Sequence, residues 1–148
     1  MSDEEFTTEH TEITKMKKDV NQLTAVVIGC AIEVHRALGP GLLESAYDAC
    51  LCRELSLRDL PCEWQKPIPL SYKGVKVDCG YRADVIVDAR VLIEVKAVEQ
   101  FAPIHDAQLL SYLKLTGLAV GLLINFNVHI LTHGIRRKVI GERVEVSL

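Results

Sequence analysis

Apolar positions recur along the chain first at helical and then at strand spacing. Leu23, Val26, Val27, Cys30, Ala31, Val34 and Leu38 fall on one helical face and predict an amphipathic helix over 19–37. Gly39-Pro40-Gly41 breaks the chain. Leu43, Ala46, Tyr47, Cys50, Leu51 and Leu55 then predict a second helix over 42–57, joined to the first as an αα-hairpin.

Past Asp59 to Pro61 the period changes to two. A strand is predicted over 63–71, demoted by Pro67 and Pro69 to an edge or irregular one. Tyr72-Lys73-Gly74 reads as a turn into a strand over 75–79. Two Val- and Ile-rich strands follow over 81–87 and 91–97, separated by Asp88-Ala89-Arg90. The helical period returns over 104–115, with Gly117 as its stop. The apolar run 118–125 is a buried strand, and 128–132 is expected as a last short one. Arg136-Arg137-Lys138 falls in a polar C-terminal segment. The polar stretch 1–18 has no apolar period and is read as an extension to a single domain over 19–148.

Helix pairs around Val-rich strands imply an α/β fold with a mixed central sheet flanked by helices. The chain has 148 residues, 49% of them hydrophobic, enough for one core. No apolar run reaches the roughly 18 residues of a membrane span, and the acidic start Met1-Ser2-Asp3-Glu4-Glu5 is unlike a secretory signal, so a cytoplasmic location is expected. The cysteine count is five, an odd number, which argues for free, core-packed thiols rather than disulfides. The net charge of −3 counts against tight nonspecific binding of nucleic acid.

The candidate chemistry lies in the two Val-rich strands. If Asp88-Ala89-Arg90 is a three-residue loop, Val87 pairs with Val91 and Asp84 lies opposite Glu94. The two Cβ atoms would then be about 4.5–5.5 Å apart. Glu94 and Lys96 share a face, with Val95 turned away. Two carboxylates so close repel unless a positive charge sits between them. Lys96 can supply it; a hard cation such as Mg²⁺ does so better, and can make water acidic enough to attack a phosphodiester. Lys96 would orient that water or offset the developing negative charge. On spacing alone, a surface cross-strand salt bridge among Asp84, Glu94 and Lys96 is the somewhat better reading. The apolar flanks Val85, Val87, Ile93 and Val95 favour the site.

Asp84…Glu94-x-Lys96 on a hairpin, between an acidic helix and a Gln-bearing helix, resembles the PD-(D/E)XK nuclease superfamily. More narrowly, Gly41-Leu-Leu-Glu44-Ser-Ala-Tyr47 is similar to the motif of the GxxExxY proteins. The likeness continues through Tyr81-Arg82-Ala83-Asp84, Ile93-Glu94-Val95-Lys96-Ala97, Gln108-Leu-Leu-Ser-Tyr112-Leu113-Lys114 and Leu122-Leu-Ile-Asn125-Phe126. Ala83 stands where the strict superfamily pattern has proline.

The resemblance implies a restriction-endonuclease-like core and hydrolysis of DNA or RNA with Mg²⁺ or Mn²⁺. It implies Asp84 and Glu94 as metal carboxylates, the Val95 carbonyl as a further oxygen, and Lys96 as the catalytic lysine. Glu44 matches a helix-borne acidic residue directed at the metal, often through water, and Gln108 a helical glutamine beside the site. Tyr112, Arg82, Arg136 and Arg137 are candidate substrate contacts. The alternative is a catalytically silent module that binds nucleic acid or a protein; a homodimer or protein partner is left open.

Overall fold

The computed structural model describes residues 19–140; the extension expected over 1–18 and the last residues of the expected domain lie outside the described residues. Helix α1 (Val20–Leu38) starts on Asp19, whose carboxylate accepts from Gln22 N–H at 2.8 Å while the Gln22 side chain accepts from Asp19 N–H at 3.2 Å. This capping box satisfies two amide donors that a helix start leaves open. Helix α2 (Glu44–Leu57) buries Tyr47, Leu51 and Leu55, and with them Asp48. Two members of the expected stripe turn outward: Leu43, just before the helix, is 78% exposed, and Cys50 is exposed. Of the thiols expected in the core only Cys30 is fully buried, with Cys52 and Cys62 half-buried and Cys79 exposed.

The strands follow in chain order: β1 (Cys62–Pro67), β2 (Leu70–Tyr72), β3 (Val75–Val77), β4 (Arg82–Val87), β5 (Val91–Lys96), β6 (Val120–Asn125) and β7 (Ile135–Val139). The strand expected over 63–71 is interrupted at Ile68 and Pro69, where the Ile68 amide bonds the Tyr81 carbonyl at 2.8 Å and proline has no donor for a ladder. β2 and β3 form a separate hairpin. The main sheet has the order β1-β4-β5-β6-β7, with β5 and β6 parallel and every other pair antiparallel. Helix α3 (Pro103–Thr116) crosses between the parallel pair and ends on Gly117, whose φ of 76° suits the left-handed cap.

Val85, Val87, Val91, Ile93, Val95, Leu122 and Ile124 pack with α1 and α2 on one face. Ile86, Leu92 and Leu123 pack with Leu109 and Leu113 of α3 on the other. α3 approaches β6 so closely that a Cβ on Gly121 would stand 2.8 Å from Leu109 Cδ1. This is the expected α/β architecture, a mixed sheet with helices on both faces. No helix among the described residues is long and apolar enough to cross a membrane.

The end of the chain differs from expectation. Residues 128–132 are not a strand. Asn125 Oδ1 accepts from Asn127 N–H at 3.1 Å and His35 Nε2 meets the Val128 carbonyl at 2.7 Å, so side chains take up this backbone. A 3₁₀ turn (Leu131–Gly134) follows. Arg136-Arg137-Lys138, expected in a polar tail, instead lies in the edge strand β7. Charged side chains on an edge discourage pairing with another sheet.

Candidate active site

The hairpin of β4 and β5 builds the centre. Val87 pairs with Val91 across Asp88-Ala89-Arg90, and the ladder runs through Ile86–Leu92 to Val85–Ile93, where it stops. The next backbone donors go to carboxylates. Val95 N–H donates to Asp84 Oδ2 at 2.8 Å, and Asp84 N–H to Glu94 Oε1 at 3.4 Å. The two acids therefore close the end of the ladder. Glu94 is 4% exposed. Burial, then the Asp84 charge and a hydrogen bond to Asp84, push its carboxyl up from 4.5 to about 9. Lys96 opposes the rise, and its Nζ donates to Gln108 Oε1 at 3.3 Å. The Val95 side chain lies in the α1–α2 core, turned away as the period of two requires.

Asp84 opens onto a cleft of about 550 Å³ shared with Leu42, Glu44, Asp48, Gln65 and Ala97. Gln65 stands opposite it in the β1–β4 register, between the pairs Trp64–Val85 and Lys66–Ala83. Its amide donates to Asp84 Oδ1 at 3.2 Å and to Asp48 Oδ2 at 3.0 Å. Asp48 also accepts from Trp64 Nε1 at 2.9 Å. Burial raises the Asp48 carboxyl, the Trp64 hydrogen bond opposes the rise, and the Asp84 charge adds to it. Strict alternation fails at this end of β4: Ala83 joins Ile86 in the α3-side core while Asp84 lines the cleft.

Each fixed position of Gly41-x-x-Glu44-x-x-Tyr47 has a local task. Gly41 has φ 103°, a conformation open to glycine. Glu44 is exposed in the first turn of α2, on the cleft. Tyr47 is buried, stacks on Phe126 at 4.5 Å, donates to the Gly39 carbonyl at 2.6 Å and accepts from Leu42 N–H at 3.0 Å. It thereby fastens the loop that rims the cleft. On α3, Tyr112 is one turn beyond Gln108, and burial and the Glu94 and Asp84 charges raise its phenol.

A model of the PD-(D/E)XK nuclease superfamily matches residues 21–138. The chain belongs to that superfamily. No curated protein and no solved structure shows significant similarity to it.

The PD-(D/E)XK core thus brings together Asp84, Glu94, Lys96, Gln108 and Tyr112, with Glu44 across the cleft. Arg82 lies outside the residues lining the cleft, and its Nη1 donates to the Gln65 carbonyl at 3.4 Å. Arg136 is bound to Asp106 at 2.7 Å and over the Phe101 ring at 4.8 Å, and Arg137 donates to Asn21 at 2.7 Å. Asp48 and Gln65 are site residues that the sequence reading missed. Asp48 follows Glu44 by four residues, so the two share a helix face, and that spacing was its one local signal, unread without β1.

Among the described residues no three His, Cys, Asp or Glu side chains gather into a metal-holding group. Asp84 and Glu94, in hydrogen-bond contact, are the residues that could hold a cation. A buried carboxyl against a cleft-facing one suits a hard cation such as Mg²⁺, which takes one or two carboxylates and keeps its waters.

Proposed function

We propose that this chain is a nuclease that hydrolyses phosphodiester bonds in DNA or RNA, with Mg²⁺ or Mn²⁺ held by Asp84 and Glu94. The observation that carries the reading is the closure of the β4–β5 ladder by two carboxylates, with Lys96 held on Gln108 beside them. A bound divalent cation would supply Lewis-acid chemistry, polarising a phosphoryl oxygen and favouring attack by water. The Val95 carbonyl would offer it a further oxygen, and Glu44, on the same cleft as Asp84, would reach it through water.

The chain's own residues do the rest. Gln65 and the Val95 amide fix the Asp84 carboxylate from two directions. Gln108 orients the Lys96 ammonium, which offsets negative charge as the phosphorane forms. Glu44, Asp48 and Asp84 make the cleft acidic, so a phosphate enters with its cation rather than alone. Gly41, Glu44 and Tyr47 support kinship with the GxxExxY proteins.

The test is cleavage of single- and double-stranded DNA and RNA in Mg²⁺ or Mn²⁺. Lys96→Ala should stay folded, bind metal and lose about 10²–10³ in rate, as for a lost charge-stabilising group. Lys96→Arg should rescue poorly, since a planar guanidinium is no substitute for a compact ammonium. Asp84→Asn should weaken Mg²⁺ binding by calorimetry. Equal cutting by wild type and Lys96→Ala refutes the mechanism. Metal binding without cutting under any condition favours the silent module, which the net charge of −3 also suits.

A further inference from the structure

Part of the positive charge in the described fold is already compensated. Arg36 pairs with Glu33, Arg58 with Glu54, Lys66 with Glu63, and both Arg136 and Lys138 with Asp106. With a net charge of −3, nonspecific attraction to phosphates is weak. A nucleic-acid substrate of this site needs another source of binding.

One adjoins the site. Gln108, which accepts from Lys96, also lines a groove of about 460 Å³ with Leu70, Tyr81, Ile104, Tyr112 and Leu115. The Tyr81 and Tyr112 rings have centroids 6.0 Å apart and are inclined at 50°, so they do not stack in parallel on each other. Tyr81 is 42% exposed and offers ring surface to a ligand. Tyr81 also borders an adjoining groove with Lys76, Arg82 and one acid, Asp78, and Lys114 lines the first. None of these three cations has an ion pair among the described residues. Aromatic and aliphatic walls, linked to the proposed phosphodiester site through the Gln108–Lys96 hydrogen bond and bordered by cations without ion pairs, match a base with its flanking phosphates.

We propose that the Tyr81–Tyr112 wall is a stacking platform for an unpaired base beside the scissile phosphate, so that this site prefers single-stranded nucleic acid to duplex. The proposal deepens the nuclease reading and rests on it. Bases in a duplex are stacked on one another and present only their edges. A single strand exposes base faces, and an aromatic ring accepts any of them.

Binding is measured by fluorescence anisotropy in EDTA, where cleavage plays no part, with labelled oligothymidylate, oligouridylate and a DNA duplex of equal length. Wild type should bind at least one single strand about ten-fold or more tighter than the duplex, and the two single-stranded arms separate DNA from RNA. Tyr81→Ala should weaken single-strand binding by about 5- to 150-fold, the effect of removing one stacking ring, with duplex binding unchanged and circular dichroism intact. Tyr81→Phe should retain it; Tyr112→Ala should act in the same direction as Tyr81→Ala. Equal affinity for single strand and duplex, an unaffected Tyr81→Ala, or no binding to any probe overturns the platform. Cleavage in Mg²⁺ is scored separately. Cutting without strand preference overturns the platform and leaves the nuclease reading; strand-selective, Tyr81-dependent binding without cutting supports the platform and overturns that reading.

Discussion

Replacing Glu94 by Gln should make the metal-free protein more stable at neutral pH. In the folded protein Glu94 keeps its proton to about 9, whereas the unfolded chain releases it near 4.5. Between those values the folded state binds the extra proton, so stability falls as pH rises through the window and levels off above it. At about 1.4 kcal/mol per pH unit, the full window amounts to about 6 kcal/mol, and the part lost by pH 7 to about 3 kcal/mol. That is a large fraction of the roughly 5–15 kcal/mol that holds a domain together. Gln has the shape of protonated Glu, can accept from Asp84 N–H and donate to the Asp84 carboxylate, and cannot ionise. Urea unfolding in EDTA, followed by circular dichroism from about pH 5 to about pH 9, should show wild type losing stability relative to Glu94→Gln as pH rises. The two should converge at the acid end. Mg²⁺ should restore wild type, because it favours the ionised carboxylate, and do little for the variant. A wild-type curve that runs parallel to the Glu94→Gln curve through this window would refute the reasoning.

Other substitutions test the support around the site. Tyr47→Phe keeps the stack on Phe126 but loses both loop hydrogen bonds; thermal melts should show a loss of about 1–3 kcal/mol. Asp48→Ala strips the partner from Trp64 Nε1 and one of two from Gln65. It should cost about 1–3 kcal/mol by urea unfolding and weaken Mg²⁺ binding by calorimetry, because Gln65 then holds Asp84 less firmly. Asn125→Ala removes a side chain that donates to the Val98 carbonyl at 2.8 Å and accepts from Val98 N–H at 3.1 Å. It should destabilise by about 1–3 kcal/mol and lower any cleavage rate, since Val98 ends the segment that carries Lys96.

The β4–β5 hairpin was legible in the sequence because its determinants are local. A period of two and a three-residue loop set the register as far as Val85–Ile93 and put Glu94 and Lys96 on one face of β5, whereas the departure from alternation at Asp84 shows only in the fold. Helices α1, α2 and α3 were legible for the same reason, their apolar spacing and the Gly117 stop. Asp48 was not, because a charged residue on a helix reads as solvent-facing until Trp64 and Gln65 arrive from β1 to satisfy it. The break at Pro69 did not by itself reveal that β2 leaves the sheet to pair with β3. β7 was misplaced because its charges look like a tail; only pairing with β6, and the Asp106 carboxylate on α3 waiting for Arg136 and Lys138, make them an edge strand. Residue spacing sets which groups share a face within one element, since that follows from backbone geometry alone. Which buried acid finds a donor, and which cation is neutralised, depends on partners far along the chain, and only the tertiary fold brings those within hydrogen-bonding distance.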